Sequence, residues 1–142
     1  MEEGEKDKEA IKYCQNSIME KDKNKEIGRF EDLEVWKVAM SLAENLYREF
    51  SGCRDYSFRD QIQRSAVSIA SNIAEGYDRG SNKEFIRYLY IAKGSCAELR
   101  TQIYLAQKTN IIDPQKATQF IELTKKISAM LQNLIKVRKE RF

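Results

Sequence analysis

Residues 81–106 read SNKEFIRYLYIAKGSCAELRTQIYLA, and their apolar side chains recur with a helical period. The spacing alternates between four and three residues over about six turns, along the seam Phe85, Leu89, Ala92, Cys96, Leu99, Ile103 and Ala106. Ser81 followed by Glu84 is a capping-box signal for the start of a helix, and Asn110 is a suitable residue for its end. The stretch therefore predicts a long α-helix that packs in a core through one face.

Three further stretches carry a stripe of the same kind. They contain the rows Leu33, Trp36, Met40, Ala43, Tyr47 and Phe50, then Ile62, Ala66, Ile69 and Ile73, then Ala117, Phe120, Thr124, Ile127, Leu131 and Leu134. The first stretch has a second apolar row beside its seam, formed by Val35, Ala39, Leu42 and Leu46. This first helix therefore presents more apolar surface than one neighbouring helix can cover.

The boundaries of these helices are predicted from local signals. We expect Asp32 to cap the first helix, Ser57 with Asp60 to open the second, and Gly76 to end it as a left-handed residue. Asp113 followed by Pro114 is a strong start for the last helix, because Pro is tolerated in the first turn.

Four long helices joined by short loops run antiparallel. One Pro and six Gly in 142 residues leave few helix breakers. The fold class predicted is therefore all-α, an antiparallel up-down-up-down four-helix bundle over residues 30–142. Residues 1–29 are predicted to be a charged N-terminal extension, in which Ala10, Ile11, Cys14 and Ile18 suit one short additional helix.

The residue types present exclude most catalytic classes. The chain has no His, which removes Ser-His-Asp and Cys-His nucleophile systems and His-containing zinc sites. The paired carboxylates of di-metal bundles are also missing from the second and third helices. We therefore predict no enzymatic activity, no catalytic residues, no cofactor and no metal.

Charge and cysteine usage indicate the compartment and the partners. The net charge is +3, and it divides into −1 for residues 1–29 and +4 for residues 30–142. The three cysteines are far apart and form no C-x-x-C pair, which suits a reducing cytoplasm. No apolar run reaches the roughly 18 residues of a membrane span, so we expect no membrane association.

The third helix is apolar on both sides of its seam. Tyr90, Ala97 and Tyr104 follow one side, and Ile91 follows the other. Homo-oligomerisation explains this breadth, and so does a central position within a single bundle.

The second helix has a face of small polar residues. We interpret it, together with part of the third helix, as a polar interface seam of Arg64, Ser68, Asn72, Glu75, Ser95 and Glu98. Ser and Asn are poor helix formers that favour close contact and hydrogen bonds. The alternatives are a contact between helices, a contact between subunits and an ordinary solvated face.

Basic side chains mark candidate nucleic-acid-binding positions on the third and fourth helices. They are Arg87, Lys93, Arg100, Lys125, Lys136, Arg138, Lys139 and Arg141. Cations interleaved with tyrosines neutralise phosphates and stack bases, but cations at a helix C-terminus also offset the macrodipole, and tyrosines also occur at oligomer interfaces.

Two runs of sequence resemble a known family. They are QIQRSAVSIASNIAEG at residues 61–76 and IAKGSCAEL at residues 91–99, and FEDLEVWK at residues 30–37 resembles the family's opening. The chain resembles the four-helix bundle proteins encoded in intervening sequences of bacterial 23S ribosomal RNA genes. That family is similar to the accessory variability determinant proteins of diversity-generating retroelements.

The resemblance implies a homopentameric barrel without enzymatic activity. It also implies a basic surface that binds RNA or DNA and a reverse transcriptase. The family's signature positions fall on Arg64, Ser68, Asn72, Glu75, Gly76, Ser95 and Glu98. The alternative function is a structural or protein-interaction oligomer with no nucleic-acid role.

Overall fold

The computed structural model describes residues 28–142. A 3₁₀ turn at Phe30–Asp32 leads into four α-helices, α1 (Glu34–Glu49), α2 (Tyr56–Asp78), α3 (Asn82–Lys108) and α4 (Pro114–Arg141). Each helix packs against the next along the chain, and α4 returns to contact α1. The predicted all-α antiparallel four-helix bundle is confirmed for these residues, and the predicted helix near residues 10–18 lies outside them.

The core follows the predicted seams on α2 and α3. Ile62, Ala66, Ile69 and Ile73 are fully buried, as are Leu89, Ala92, Cys96, Leu99, Ile103 and Ala106. On α4, Ile135 takes the buried position expected for Leu134, which is half-buried. The one-residue difference arises because a straight helix drifts away from a strict heptad over several turns.

The seam predicted for α1 is wrong at Met40 and Tyr47, whose exposed fractions are 45% and 46%. Leu33, Ala43 and Phe50 are buried as predicted. The flanking row of Val35, Ala39, Leu42 and Leu46 is buried as well. Both rows satisfy helical spacing, so periodicity alone does not select between them. The row that contains Trp36, Met40 and Tyr47 faces outward beside α2.

Two of the predicted helix starts are also wrong. Asp32 lies in the 3₁₀ turn, and α1 begins after Leu33, which has no capping side chain. Asp55 rather than Ser57 caps α2, because its side chain accepts a hydrogen bond from the Phe58 backbone N–H at 3.1 Å. An Asp two residues before the expected cap satisfies the same orphan N–H groups.

The caps of α3 and α4 are confirmed. The Ser81 hydroxyl accepts from the Glu84 N–H at 3.2 Å, and Asp113 accepts from the Lys116 N–H at 3.4 Å ahead of Pro114. The α3 helix ends just before Asn110, whose φ of 60° is left-handed.

Gly76 does not end α2, which continues to Asp78. The left-handed position is taken by Gly80, with φ of 79°, in the loop that follows. Gly76 is instead buried inside the helix, where α2 approaches α3. A Cβ atom at Gly76 would come to 2.3 Å from the Cβ of Tyr88, so this position requires glycine for packing.

Cys96 lies in the core seam of α3, and burial raises the pKa of its thiol to about 12 from 9.0, with nearby Arg100 opposing the shift. Because the folded state holds this proton more tightly than the unfolded state does, the contribution of Cys96 to stability is present below pH 9. It is lost progressively as the pH rises from 9 towards 12.

We therefore expect the stability difference between the wild type and Cys96→Ala to change by about 1.4 kcal/mol per pH unit above pH 9, to the disadvantage of the wild type. Urea unfolding of both proteins between pH 8 and 11 measures this difference, and the variant controls for the titration of every other group. Stability curves that stay parallel over this range would contradict the prediction.

Candidate nucleic-acid interface

The small polar residues of α2 and α3 meet between the two helices. The hydroxyl oxygens of Ser68 and Ser95 lie 2.9 Å apart. The Asn72 side-chain amide donates to the Ser68 hydroxyl at 2.9 Å and to the Ser68 carbonyl at 2.8 Å. Ser95 is buried, and Ser68 and Asn72 are half-buried. These three residues therefore form a hydrogen-bonded contact between helices of one chain.

The remaining residues predicted for this seam are more exposed. Glu75 accepts a hydrogen bond from the Tyr88 hydroxyl at 3.2 Å and pairs with Arg79 at 3.1 Å. The structure thus brings Ser68, Asn72 and Ser95 together, while Arg64 and Glu98 are exposed.

Replacing Asn72 tests the seam directly. In Asn72→Leu, the Ser68 hydroxyl loses a donor in a half-buried site, and we expect the free energy of unfolding to fall by about 1–3 kcal/mol. Thermal or urea unfolding gives the value. The matched control is Asn133→Leu, at an exposed position of α4, which should change stability by about 0.5 kcal/mol or less. Equal effects at the two positions would show that the hydrogen bonds of Asn72 do not stabilise the fold.

Tyr88 forms a second link between α2 and α3, at the end of the bundle where α3 begins. Its ring is covered by two guanidinium groups, with the Arg79 Cζ 5.1 Å and the Arg87 Cζ 4.8 Å from the ring centroid. Arg87 also pairs with Glu84 at 3.1 Å. Arg87 therefore belongs to the α2–α3 side of the molecule and lies apart from the cations that contact α4.

A basic face runs along α3 and α4. The Lys93 ammonium donates to the Gln132 side-chain oxygen at 2.6 Å, and the Lys139 ammonium donates to the Tyr90 hydroxyl at 2.8 Å. Nearer the other end, the Arg100 Nε donates to the Thr124 hydroxyl at 3.0 Å. From the Arg100–Thr124 contact to the Tyr90–Lys139 contact, this surface extends about 22 Å along α4, at 1.5 Å per residue. We call this surface, formed by Lys93, Arg100, Lys125, Lys136 and Lys139, the α3/α4 basic face.

The C-terminal cations extend this surface at its end. The Arg138 guanidinium stacks on two rings, with its Cζ 4.8 Å from the centroid of Phe85 and 4.2 Å from that of Phe142. Its backbone carbonyl accepts from the Asn82 amide at 3.0 Å, which fixes the end of α4 on the start of α3. Arg141 is exposed one turn further on.

Three of these cations are held by neutral groups. Gln132, Tyr90 and Thr124 position Lys93, Lys139 and Arg100 without cancelling their charge. Elsewhere, cations such as Arg48 and Arg79 pair with carboxylates. Lys125 has an acidic neighbour, because its ammonium nitrogen lies 3.6 Å from a carboxylate oxygen of Glu122. The tyrosine and glutamine contacts connect α3 to α4, and sequence spacing within one helix does not reveal them.

The described part of the chain offers little else for chemistry. Within residues 28–142, no group of three or more His, Cys, Asp or Glu side chains is arranged to hold a metal ion. None of the four helices has a stretch long and apolar enough to span a bilayer.

The fold and these contacts define a class of small helical bundle with a polar α2–α3 contact and a basic face. Residues 31–133 match the family model of the 23S rRNA-intervening sequence protein. The chain therefore belongs to the 23S rRNA-intervening sequence protein family.

The chain is similar to solved structures, among them the following one. It is the crystal structure of a protein of unknown function from the S23 ribosomal protein family of Bacteroides thetaiotaomicron VPI-5482. The two chains are 26% identical, with a TM-score of 0.67, and the match covers 72% of this chain and 98% of the other. No curated protein matches the chain. Neither the family description nor this neighbour indicates a catalytic activity.

Proposed function

We propose that this protein is a non-enzymatic, cytoplasmic homo-oligomeric scaffold that binds RNA or DNA through the α3/α4 basic face. In this proposal residues 30–142 are the bundle domain and residues 1–29 are an extension. The observation that carries the proposal is that the side chains of Lys93, Arg100 and Lys139 are hydrogen-bonded to uncharged groups. Their side chains are positioned, yet their charge stays available to phosphate groups.

The outer face of α3 supports self-assembly. Four large side chains on it have exposed fractions between 41% and 50%, namely Tyr90, Ile91, Tyr104 and Leu105. Gly94 lies between them and has no neighbouring atom within 4 Å of where its Cβ would be. An apolar helix face of this breadth is typical of a protein interface. Five copies, the number that the family resemblance implies, would together carry a charge of about +15.

Binding measured against salt tests the nucleic-acid part of the proposal. The logarithm of the binding constant for single-stranded RNA or DNA should fall linearly with the logarithm of the salt concentration. The slope should be about −0.7 for each phosphate contacted. Titrations of a fluorescent oligonucleotide between 50 and 200 mM salt cover the range needed. Undetectable binding at the lowest salt concentration, or an affinity that does not depend on salt concentration, would overturn the proposed contact with phosphates.

Light scattering after size exclusion tests the assembly separately. The expected mass is about five times 16.6 kDa. A single species at 16.6 kDa and micromolar concentration would overturn the oligomer and leave the binding measurement unaffected.

The proposed function has two forms, which differ in whether a reverse transcriptase is the protein partner. As an accessory subunit of a retroelement reverse transcriptase, the protein would be encoded beside a reverse transcriptase gene and a template repeat. A gene placed inside a ribosomal RNA intervening sequence favours the intervening-sequence type of protein instead.

Tyr90 and Tyr104 on the outer face of α3 also suit a structural oligomer that binds no nucleic acid, because exposed tyrosines are enriched at protein interfaces.

A further inference from the structure

An open apolar groove runs between α1 and α2 on the outside of the bundle. Its volume is about 660 Å³. Its walls are the large side chains of Trp36, Met40, Tyr47 and Val67, and its floor is formed by small residues, Ala43, Ala70 and Ala74. Met40, Tyr47 and Val67 have exposed fractions of 41–46%. Apolar walls over a floor of alanines make a channel that accepts the side chains of one further helix.

The dimensions of the groove limit what fills it. From Trp36 to Tyr47 it extends about 16 Å along α1 at 1.5 Å per residue. The stripe Ala10, Ile11, Cys14 and Ile18 extends about 12 Å when residues 10–18 are helical, and its members then lie within one 100° sector. The opposite side of such a helix carries Lys12 and Asn16. The apolar face of this helix is therefore narrow enough for a single partner surface to cover it.

The path of the chain brings this segment to the groove. The ring of Phe30 packs edge-on against Trp36 at a centroid distance of 5.4 Å, so the chain before residue 30 leaves the bundle at the Trp36 end. Residues 19–27 can extend about 30 Å, which is enough to reach any part of a groove about 16 Å long. A tethered segment also competes at a high effective concentration against any partner in solution.

We propose that residues 10–18 of the same chain occupy the α1/α2 groove, with Ile11, Cys14 and Ile18 against its walls. The extension then completes the cover over α1, whose apolar surface exceeds what the four-helix bundle buries. This inference is independent of the proposed nucleic-acid face, because the groove and the α3/α4 basic face involve different helix surfaces.

Disulfide trapping in the full chain tests the docking. In a Cys53→Ser background, Cys14 is paired with a thiol introduced by Ser71→Cys, at an exposed position that lines the groove. The matched control is Asn133→Cys, which is exposed on α4. Under copper-phenanthroline oxidation, we expect a bond from Cys14 to position 71 within one chain to form at least ten times faster than one to position 133. Peptide mapping and non-reducing electrophoresis identify the bond.

The other outcomes overturn the proposal in distinguishable ways. Equal rates at positions 71 and 133 would mean that the segment has no preference for the groove. A bond from Cys14 to position 71 formed only between chains would assign the groove to the extension of a second copy. Absence of any bond to Cys14, with position 71 linked to position 71 of another chain, would assign the groove to the second copy's bundle.

Fluorescence gives a second readout, because Trp36 is the sole tryptophan and lines the groove. Ile11→Asn combined with Ile18→Asn should increase acrylamide quenching of Trp36 about twofold, while Lys12→Asn should leave it unchanged. The mass from light scattering should stay the same in both variants, since assembly is assigned to α3. Quenching that does not respond to the double substitution would overturn the docking.

Discussion

Gly76→Ala is expected to destabilise the protein by about 3 kcal/mol or more, although alanine is the better helix former. The added Cβ would lie 2.3 Å from the Cβ of Tyr88. Both atoms are attached directly to the backbone, so no side-chain rotation relieves the overlap and α2 must move away from α3. That movement also strains the hydrogen bond from Tyr88 to Glu75.

The matched control for Gly76→Ala is Gly94→Ala, the same change inside α3. A Cβ at Gly94 meets nothing within 4 Å in its own chain. In the dissociated chain, where the outer face of α3 has no partner, the gain in helix propensity acts alone and should stabilise the protein by about 0.5–1 kcal/mol. Chemical denaturation of the two variants measures both values. A stabilising or neutral Gly76→Ala would show that the two helices are not held at this separation.

The second large effect is expected in nucleic-acid binding. Changing Lys125, Lys136 and Lys139 together to Glu should weaken binding by about 100-fold at 50 mM salt, because three attractive charges on the α3/α4 basic face become repulsive towards phosphate. The slope of affinity against salt should become shallower at the same time. The oligomeric mass should not change.

The control for this charge reversal changes the same net charge elsewhere. Arg48, Arg54 and Lys108 are exposed at the opposite end of the bundle, and their change to Glu should weaken binding by about fivefold or less, through the long-range field alone. Equal losses in the two triple variants would mean that net charge rather than this face determines binding. Loss of assembly in the first variant would reassign the face to the contact between subunits.

The sequence predicts the bundle well where one row of apolar residues is unambiguous. The seams of α2 and α3 are buried as expected, since each has one row of apolar residues that keeps the helical period over several turns. On α1, two neighbouring rows compete, and only the position of α2 decides that Ala39 and Leu42 turn inward while Met40 turns outward. Local capping signals likewise identify Ser81 and Asp113, whereas the Asp55 cap depends on a loop conformation that the sequence does not specify.

The candidate site was accessible from the sequence only in part. Helical periodicity places Ser68 and Asn72 on one side of α2, but their contact with Ser95 depends on the register between two helices. For the same reason, the sequence groups Arg87 with the other cations of α3, and its stacking on Tyr88 places it on a different side. The role of Gly76 depends on a distance between helices that helical periodicity does not give, and a glycine near a predicted helix end indicates a cap.

The hydrogen bonds from Lys93, Arg100 and Lys139 to uncharged groups have a consequence for the entropy of the proposed binding. A free lysine or arginine side chain loses about 1.5–2 kcal/mol of rotamer freedom when it is immobilised. Hydrogen bonds to Gln132, Thr124 and Tyr90 restrict these side chains before any ligand arrives. A phosphate group that pairs with these cations while their hydrogen bonds stay intact therefore binds a preorganised set of side chains. The entropic cost of ordering them has already been met by folding.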